Sequence, residues 1–174
     1  MTETLSYVAV RSGGTTVGSV PVTVPVQLNR IDHVGVAVFD LDAAVSTYVS
    51  TFGLVVVAVE TNTEQGVREA MLQVSSPDAG GLSSSSAGGS YVQLLSPLAA
   101  DTPVGRFLER RGEGVHHIGY AVDDVAAAME GLTAQGIRVL DSRPRHGSLG
   151  ASIAFAHPKD LLGVLTELVQ AAVA

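Results

Sequence analysis

Two stretches of this chain say the same thing. Ile31-Asp-His33-Val-Gly-Val-Ala-Val38 is matched by His116-His117-Ile-Gly-Tyr-Ala-Val122 in a register that aligns His33 with His117, Gly35 with Gly119 and Ala37 with Ala121. The alignment runs on without a gap through Asp40/Asp124 and Ala43-Ala44/Ala127-Ala128, at a constant offset of 84 residues from position 33 to position 117. A duplication inside 174 residues predicts two halves fused around one core. A histidine at the same point of each half sets two imidazoles symmetrically about one axis, a natural way to build a metal site between modules.

The pattern along each half is β-α-β-β-β. In the first, Ile31–Val38 alternates as a strand and Asp40-Leu-Asp42 supplies N-cap chemistry. Val45, Tyr48, Val49 and Phe52 follow at helical spacing, and Gly53 closes the helix. Strands are expected at 54–59, 66–74 and 90–95, the last two separated by a Ser/Gly-rich loop at 75–89. Residues 102–112 read as a short connecting helix with Pro103 in its first turn. The second half is expected as strands at 116–122, 137–141, 152–156 and 163–169, with a helix from Val125 to the Gly136 stop. Residues 28–170 thus form one domain, in modules of about 28–97 and 113–170. Residues 1–27 are an N-terminal extension, either an extended arm or an unstructured leader.

Strand side chains alternate between faces. His33 shares its face with Gly35 and Ala37, and His117 with Gly119 and Ala121. The valines and Ile118 take the other face and are expected to pack on the helices. The small face leaves room for something other than protein. The last strand of each half carries one polar residue among apolar ones, Gln93 in one and Glu167 in the other. A carboxylate in mid-strand is costly to bury unless it is paired or bound to metal. If a pseudo-twofold axis relates the halves, His33, Gln93, His117 and Glu167 converge. Two imidazoles, an amide oxygen and a carboxylate would suit a divalent ion such as Co, Mn, Ni or Zn with open positions. Taken singly, each residue has a plainer reading: a satisfied core histidine, an edge-strand amide, a solvent-facing glutamate. Strict alternation puts His116 on the opposite face from His117, as a structural residue, and His146 and His157 fall in turns.

Composition narrows the function further. There is no cysteine, so neither a disulfide nor a thiolate metal site is available. The net charge of −7 argues against general nucleic-acid binding. Eight of the ten basic residues lie from Arg68 onward, which suits either an anionic small molecule or a set of solvated surface arginines. No apolar run approaches the ~20 residues of a membrane span and no signal-peptide pattern opens the chain, so the expectation is a cytoplasmic protein.

From about Leu28 onward the chain resembles the vicinal oxygen chelate superfamily, and within it the methylmalonyl-CoA epimerase branch. The resemblance is carried by Ile31-Asp-His33, Glu64-Gln-Gly-Val-Arg-Glu-Ala-Met71, Tyr91-Val-Gln93-Leu-Leu, Gly112-Glu-Gly-Val-His-His117, Arg145-His-Gly-Ser148 and His157-Pro-Lys-Asp with Gly163-Val-Leu-Thr-Glu167. It implies an α+β fold of two tandem βαβββ modules forming a cupped, incompletely closed mixed β-barrel. It also implies a homodimer, an acyl-CoA substrate and a divalent metal ion on His33, Gln93, His117 and Glu167. The reaction implied is epimerisation of a 2-alkylmalonyl thioester by α-proton removal, with Glu69 as base and Glu167 or water as the second acid. Glu69 between Val67 and Met71 is independently an odd strand carboxylate, although a solvent-facing glutamate would read the same way. Two other functions fit this architecture: a glyoxalase-like isomerase of a thiol adduct, and a metal-free protein that sequesters a ligand. Ser152 stands where the family usually has arginine, which implies a shifted acyl preference, towards ethylmalonyl-CoA for example.

Overall fold

Asp40 and Asp124 occupy equivalent places in the two copies and make equivalent bonds. Each side chain accepts a hydrogen bond from the amide three residues on, Ala43 and Ala127 respectively, at 3.0 Å. These N-caps satisfy otherwise orphaned first-turn amides and start α1 (Leu41–Phe52) and α3 (Val125–Ala134). Gly53 ends α1 in the left-handed region at φ 70°, a conformation that costs glycine little. The computed structural model describes residues 5–6, 21–22, 24–74 and 90–172. The Ser/Gly-rich loop and most of the N-terminal extension lie outside them.

Module one contributes β3 (Arg30–Ala37), α1, β4 (Val55–Asn62), β5 (Val67–Gln73) and β6 (Tyr91–Pro97). Module two contributes β7 (Gly114–Ala121), α3, β8 (Arg145–His146), β9 (Ser152–Ala156) and β10 (Thr166–Gln170). Helix α2 (Pro103–Arg111), capped by Thr102, joins them. The strands form one eight-stranded mixed sheet in the order β4-β5-β6-β3-β7-β10-β9-β8. Each half of that order mirrors the other across the antiparallel β3/β7 seam. The sheet curls into a half-barrel that does not close. Its edge strands approach through side chains, with Asn62 and Gln65 both donating to the His146 carbonyl. A separate pair, β1 (Leu5–Ser6) and β2 (Pro21–Val22), runs antiparallel.

The faces divide as alternation requires. Outside the curl, Val36 and Val38 pack with Leu72 and Leu94 beneath α1, and Val122, Ala154 and Leu168 pack beneath α3. Val26 joins the α3 cluster, so the chain before β3 is bound across module two. On the concave side α2 covers one end, where Val104 and Leu108 meet Ala37, Val67 and Leu95. Among the described residues, no helix is long and apolar enough to cross a membrane.

Two elements differ from the sequence expectation. The strand expected at 137–141 is reduced to an isolated bridge between Val139 and Ala156. The Asp141 side chain takes the Phe155 amide at 2.7 Å and binds Arg145, which diverts the chain into β8. The last strand begins at Thr166 rather than Gly163, because Leu162 and Gly163 both hold positive φ (56° and 91°) in a turn.

Candidate active site

Among the described residues, His33, Glu69, Gln93, His117 and Glu167 are polar side chains buried on the concave face, each between 2% and 5% exposed. The β3/β7 register explains how the histidines fit. His33 lies opposite Gly119, and Gly35 opposite His117. A Cβ on Gly35 would sit 2.2 Å from His117 Cε1, and one on Gly119 would sit 2.4 Å from His33 Cε1. Each imidazole therefore lies over the bare backbone of the other module. The flanking strands deliver the rest in parallel register, Gln93 beside Gly35 and Glu167 beside Gly119.

Three donor atoms meet at one point. His33 Nε2 and His117 Nε2 are 3.0 Å apart, and Glu167 Oε2 lies 2.9 Å and 3.1 Å from them. Glu167 Oε2 is close to both rings but is hydrogen-bonded to neither. Two imidazole nitrogens and a carboxylate oxygen this close together could hold one cation between them. Gln93 fits a fourth place. Its Nε2 donates to Glu69 Oε2 (2.7 Å) and to Ser148 Oγ (2.8 Å), leaving Oε1 buried without a partner.

The electrostatics of the cation-free cluster follow from the same contacts. Burial opposes the charge on Glu167, but His117 and His33 outweigh it and hold its carboxyl at about 2. Burial also opposes charge on His33, yet the carboxylates of Asp32 and Glu167, one against each ring nitrogen, raise it to about 9. A proton on His33 thus occupies the electrostatic place a cation would take. Burial pushes Glu69 upward, with Ser148 opposing and Glu60 and Glu167 reinforcing the shift. Its Oε1 is buried and unpartnered. A carboxylate raised towards neutrality with one free oxygen is suited to taking a proton.

The cavity over this cluster is walled by Tyr91, Met71, Ser148, Leu149 and Ile153, with Arg30 among its lining residues. A second opening on the other side of His117 is lined by His116, Arg145 and Phe155. Arg106, Arg110 and Arg111 line neither, so the basic residues do not gather at the site. Ser152 does not reach the cavity: its neighbours Ala151 and Ile153 line the wall, and alternation turns Ser152 the other way.

Three residues at the site escaped the sequence reading. Ser148, in a short 3₁₀ turn, binds Gln93 from 55 positions away. Asp32 Oδ1 touches His33 Nδ1 at 3.2 Å. His116 is not on the far side of its strand: its Nδ1 lies 3.0 Å from His117 Nδ1. The register slips between Gly35 and Val36, leaving His116 unpaired opposite β3, and a bulge of this kind brings consecutive side chains to one side. Burial lowers His116 to about 4, so it is neutral there. His146 and His157 stand apart from the cluster, the latter capping the amide of Lys159.

The chain belongs to the Glyoxalase/Bleomycin resistance protein/Dioxygenase superfamily, whose family model matches residues 32–155. Within it, the chain is similar to the ethylmalonyl-CoA/methylmalonyl-CoA epimerase of Cereibacter sphaeroides, 37% identical over 145 residues that span 82% of this chain and 98% of that one. A variant of Streptomyces coelicolor methylmalonyl-CoA epimerase, solved in complex with 2-nitronate-propionyl-CoA, superposes with a TM-score of 0.76 at 48% identity, covering 84% of this chain and all of the other. Methylmalonyl-CoA epimerase from Mycobacterium tuberculosis superposes with a TM-score of 0.74 at 37% identity, over 87% of this chain and 93% of that one.

Proposed function

We propose that this protein is a metal-dependent epimerase that interconverts the (2R) and (2S) forms of methylmalonyl-CoA or a closely related 2-alkylmalonyl-CoA. The observation that carries the reading is the pairing of two buried elements: a three-donor cluster fit for a cation, and beside it a carboxylate with a free oxygen and no structural partner for it. Relatives that cover nearly their whole length are epimerases of such thioesters, and one is bound to an acyl-CoA analogue. Homodimerisation, which rests on the family resemblance, and a cytoplasmic location, which rests on the sequence pattern, belong to the same proposal.

His33, His117, Glu167 and Gln93 would hold the cation. It would supply Lewis-acid stabilisation of the negative charge that builds on the substrate's oxygens. The chain's own residues handle the proton. Glu69 Oε1 accepts the α-proton, and the electron pair of the broken C–H bond moves into the adjacent thioester carbonyl as an enolate. Gln93 Nε2 fixes Glu69 Oε2, so the free oxygen keeps its aim. A proton delivered to the opposite face re-forms the C–H bond with inverted configuration, and Glu69 returns its own proton to solvent. Glu167, held near 2, is a ligand rather than a proton carrier in this scheme, so the opposite-face proton is assigned to water. The test is deuterium uptake from solvent into C2 of methylmalonyl-CoA, with loss of optical purity. Both should stop with a chelator and resume with Co2+. Absence of exchange in the Co2+-loaded protein would remove the assignment.

A further inference from the structure

We propose that Asp32 and His116 are paired positioning residues, which fix the ring tautomer of the two histidine ligands and make those ligands chemically unequal. This rests on the metal reading above. Each is the residue immediately before a site histidine, and neither has a partner in the β3/β7 ladder. The register slips between Ile31 and His33 on one strand and opposite Gly35 and Val36 on the other, so the two bulges are related by the same symmetry as the histidines. Each bulge turns its extra side chain towards the neighbouring ring, Asp32 Oδ1 to His33 Nδ1 at 3.2 Å and His116 Nδ1 to His117 Nδ1 at 3.0 Å.

The protons follow from the geometry. Both rings aim Nε2 at Glu167 Oε2, so a neutral ligating ring must carry its hydrogen on Nδ1. His33 Nδ1–H then donates to Asp32. His117 Nδ1–H donates to His116 Nδ1, which must present a lone pair and hold its own hydrogen on Nε2. Each acceptor is itself anchored: Asp32 is ion-paired with Arg30, and the His116 ring stands edge-on to Phe107 of α2 with centroids 5.0 Å apart. The acceptors differ in charge. A carboxylate behind His33 makes that ring the stronger electron donor, whereas an imidazole behind His117 gives orientation without the negative charge.

The test is Co2+ affinity of the purified chain, measured by competition with a chromophoric chelator, with chelator-treated melting curves as a folding control. Outer-sphere partners of this kind are worth ~10–100-fold in metal affinity. His116→Ala and Asp32→Ala should each weaken Co2+ binding by that factor. His116→Gln places an acceptor oxygen in reach of His117 Nδ1–H and should recover most of the loss, while His116→Lys, a donor only, should not. Asp32→Asn keeps an acceptor without charge and should fall between parent and alanine. If the alanine variants do not fold, the Gln, Lys and Asn variants decide the matter. Equal affinity in the Gln and Lys variants, or variants all within about twofold of the parent, would overturn the proposal. A parent chain that takes up no Co2+ would overturn the metal reading itself, and this inference with it.

Discussion

Module one and module two share a backbone plan and differ in what they put on it. Their histidines, glycines and helix caps correspond one for one. On the last strand of each, the equivalent positions hold Gln93 in one and Glu167 in the other. The strand beyond brings a sharper contrast. Met71 pairs with Gln93 and Phe155 with Glu167, so Glu69 and Ile153, each two residues further from that pair, are counterparts. Module one carries a buried carboxylate where module two carries a core isoleucine. On the proposed function the division is one of labour: module two would bring the negative charge that holds a cation, and module one the group that moves a proton. The symmetry places His33 and His117 alike, and the departure from it leaves a buried carboxylate at Glu69 with Ile153 as its counterpart.

The largest expected effect breaks that division at Glu69. Glu69→Gln should lower epimerisation by ~10²–10⁴-fold, the usual worth of a general base, with Co2+ uptake intact; near-normal turnover would return the proton transfer to another group. The glycine cradles come next. Gly35→Ala and Gly119→Ala both push a methyl into an imidazole of the opposite module, and each should weaken Co2+ binding by at least ~10-fold. Equal losses support the symmetry of the cradle, and a loss in only one variant breaks it. Ile153→Val, at the counterpart of Glu69, should cost only ~0.5–1.5 kcal/mol of stability, read from denaturant unfolding, and leave turnover near parental.

The smallest effect is a pH dependence of the chelator-stripped protein. His33, raised to about 9 when folded, contributes stability that is complete below its unfolded value near 6.5 and fades as pH rises to 9. His116, lowered to about 4, acts oppositely: between 6.5 and 4 the unfolded chain takes the proton first, and stability falls as pH falls. Melting temperature should therefore peak near pH 6.5. His116→Gln should flatten the acid side and leave the alkaline side alone, as thermal melts across pH 4–9 would reveal.

The symmetric part of this site was legible from residues alone. A repeat with small neighbours on the histidine face announces a shared cavity, and the lone polar residues at 93 and 167 sit where two registers converge. His116 was misread, and Asp32 passed over, for one definite reason. Period-two alternation assigns faces only where the ladder is regular, and both residues are the extra member of a bulge. Ser148 was visible as part of a motif but not as a partner of Gln93, because a 3₁₀ turn gives no periodic signal to aim a side chain. The strand expected at 137–141 failed through Asp141, whose side chain takes an amide near which a second ladder would have grown.

The seam between the halves has a consequence for association. Its register offers a ring and an empty slot from each side, His33 to Gly119 and His117 to Gly35. An edge of that kind is self-complementary: two copies of β3 laid antiparallel would each present what the other lacks, as an isologous contact requires. The two strands are not alike elsewhere: β3 bulges at Asp32 and β7 at His116, and only the His116 ring meets Phe107 of the helix that joins the halves.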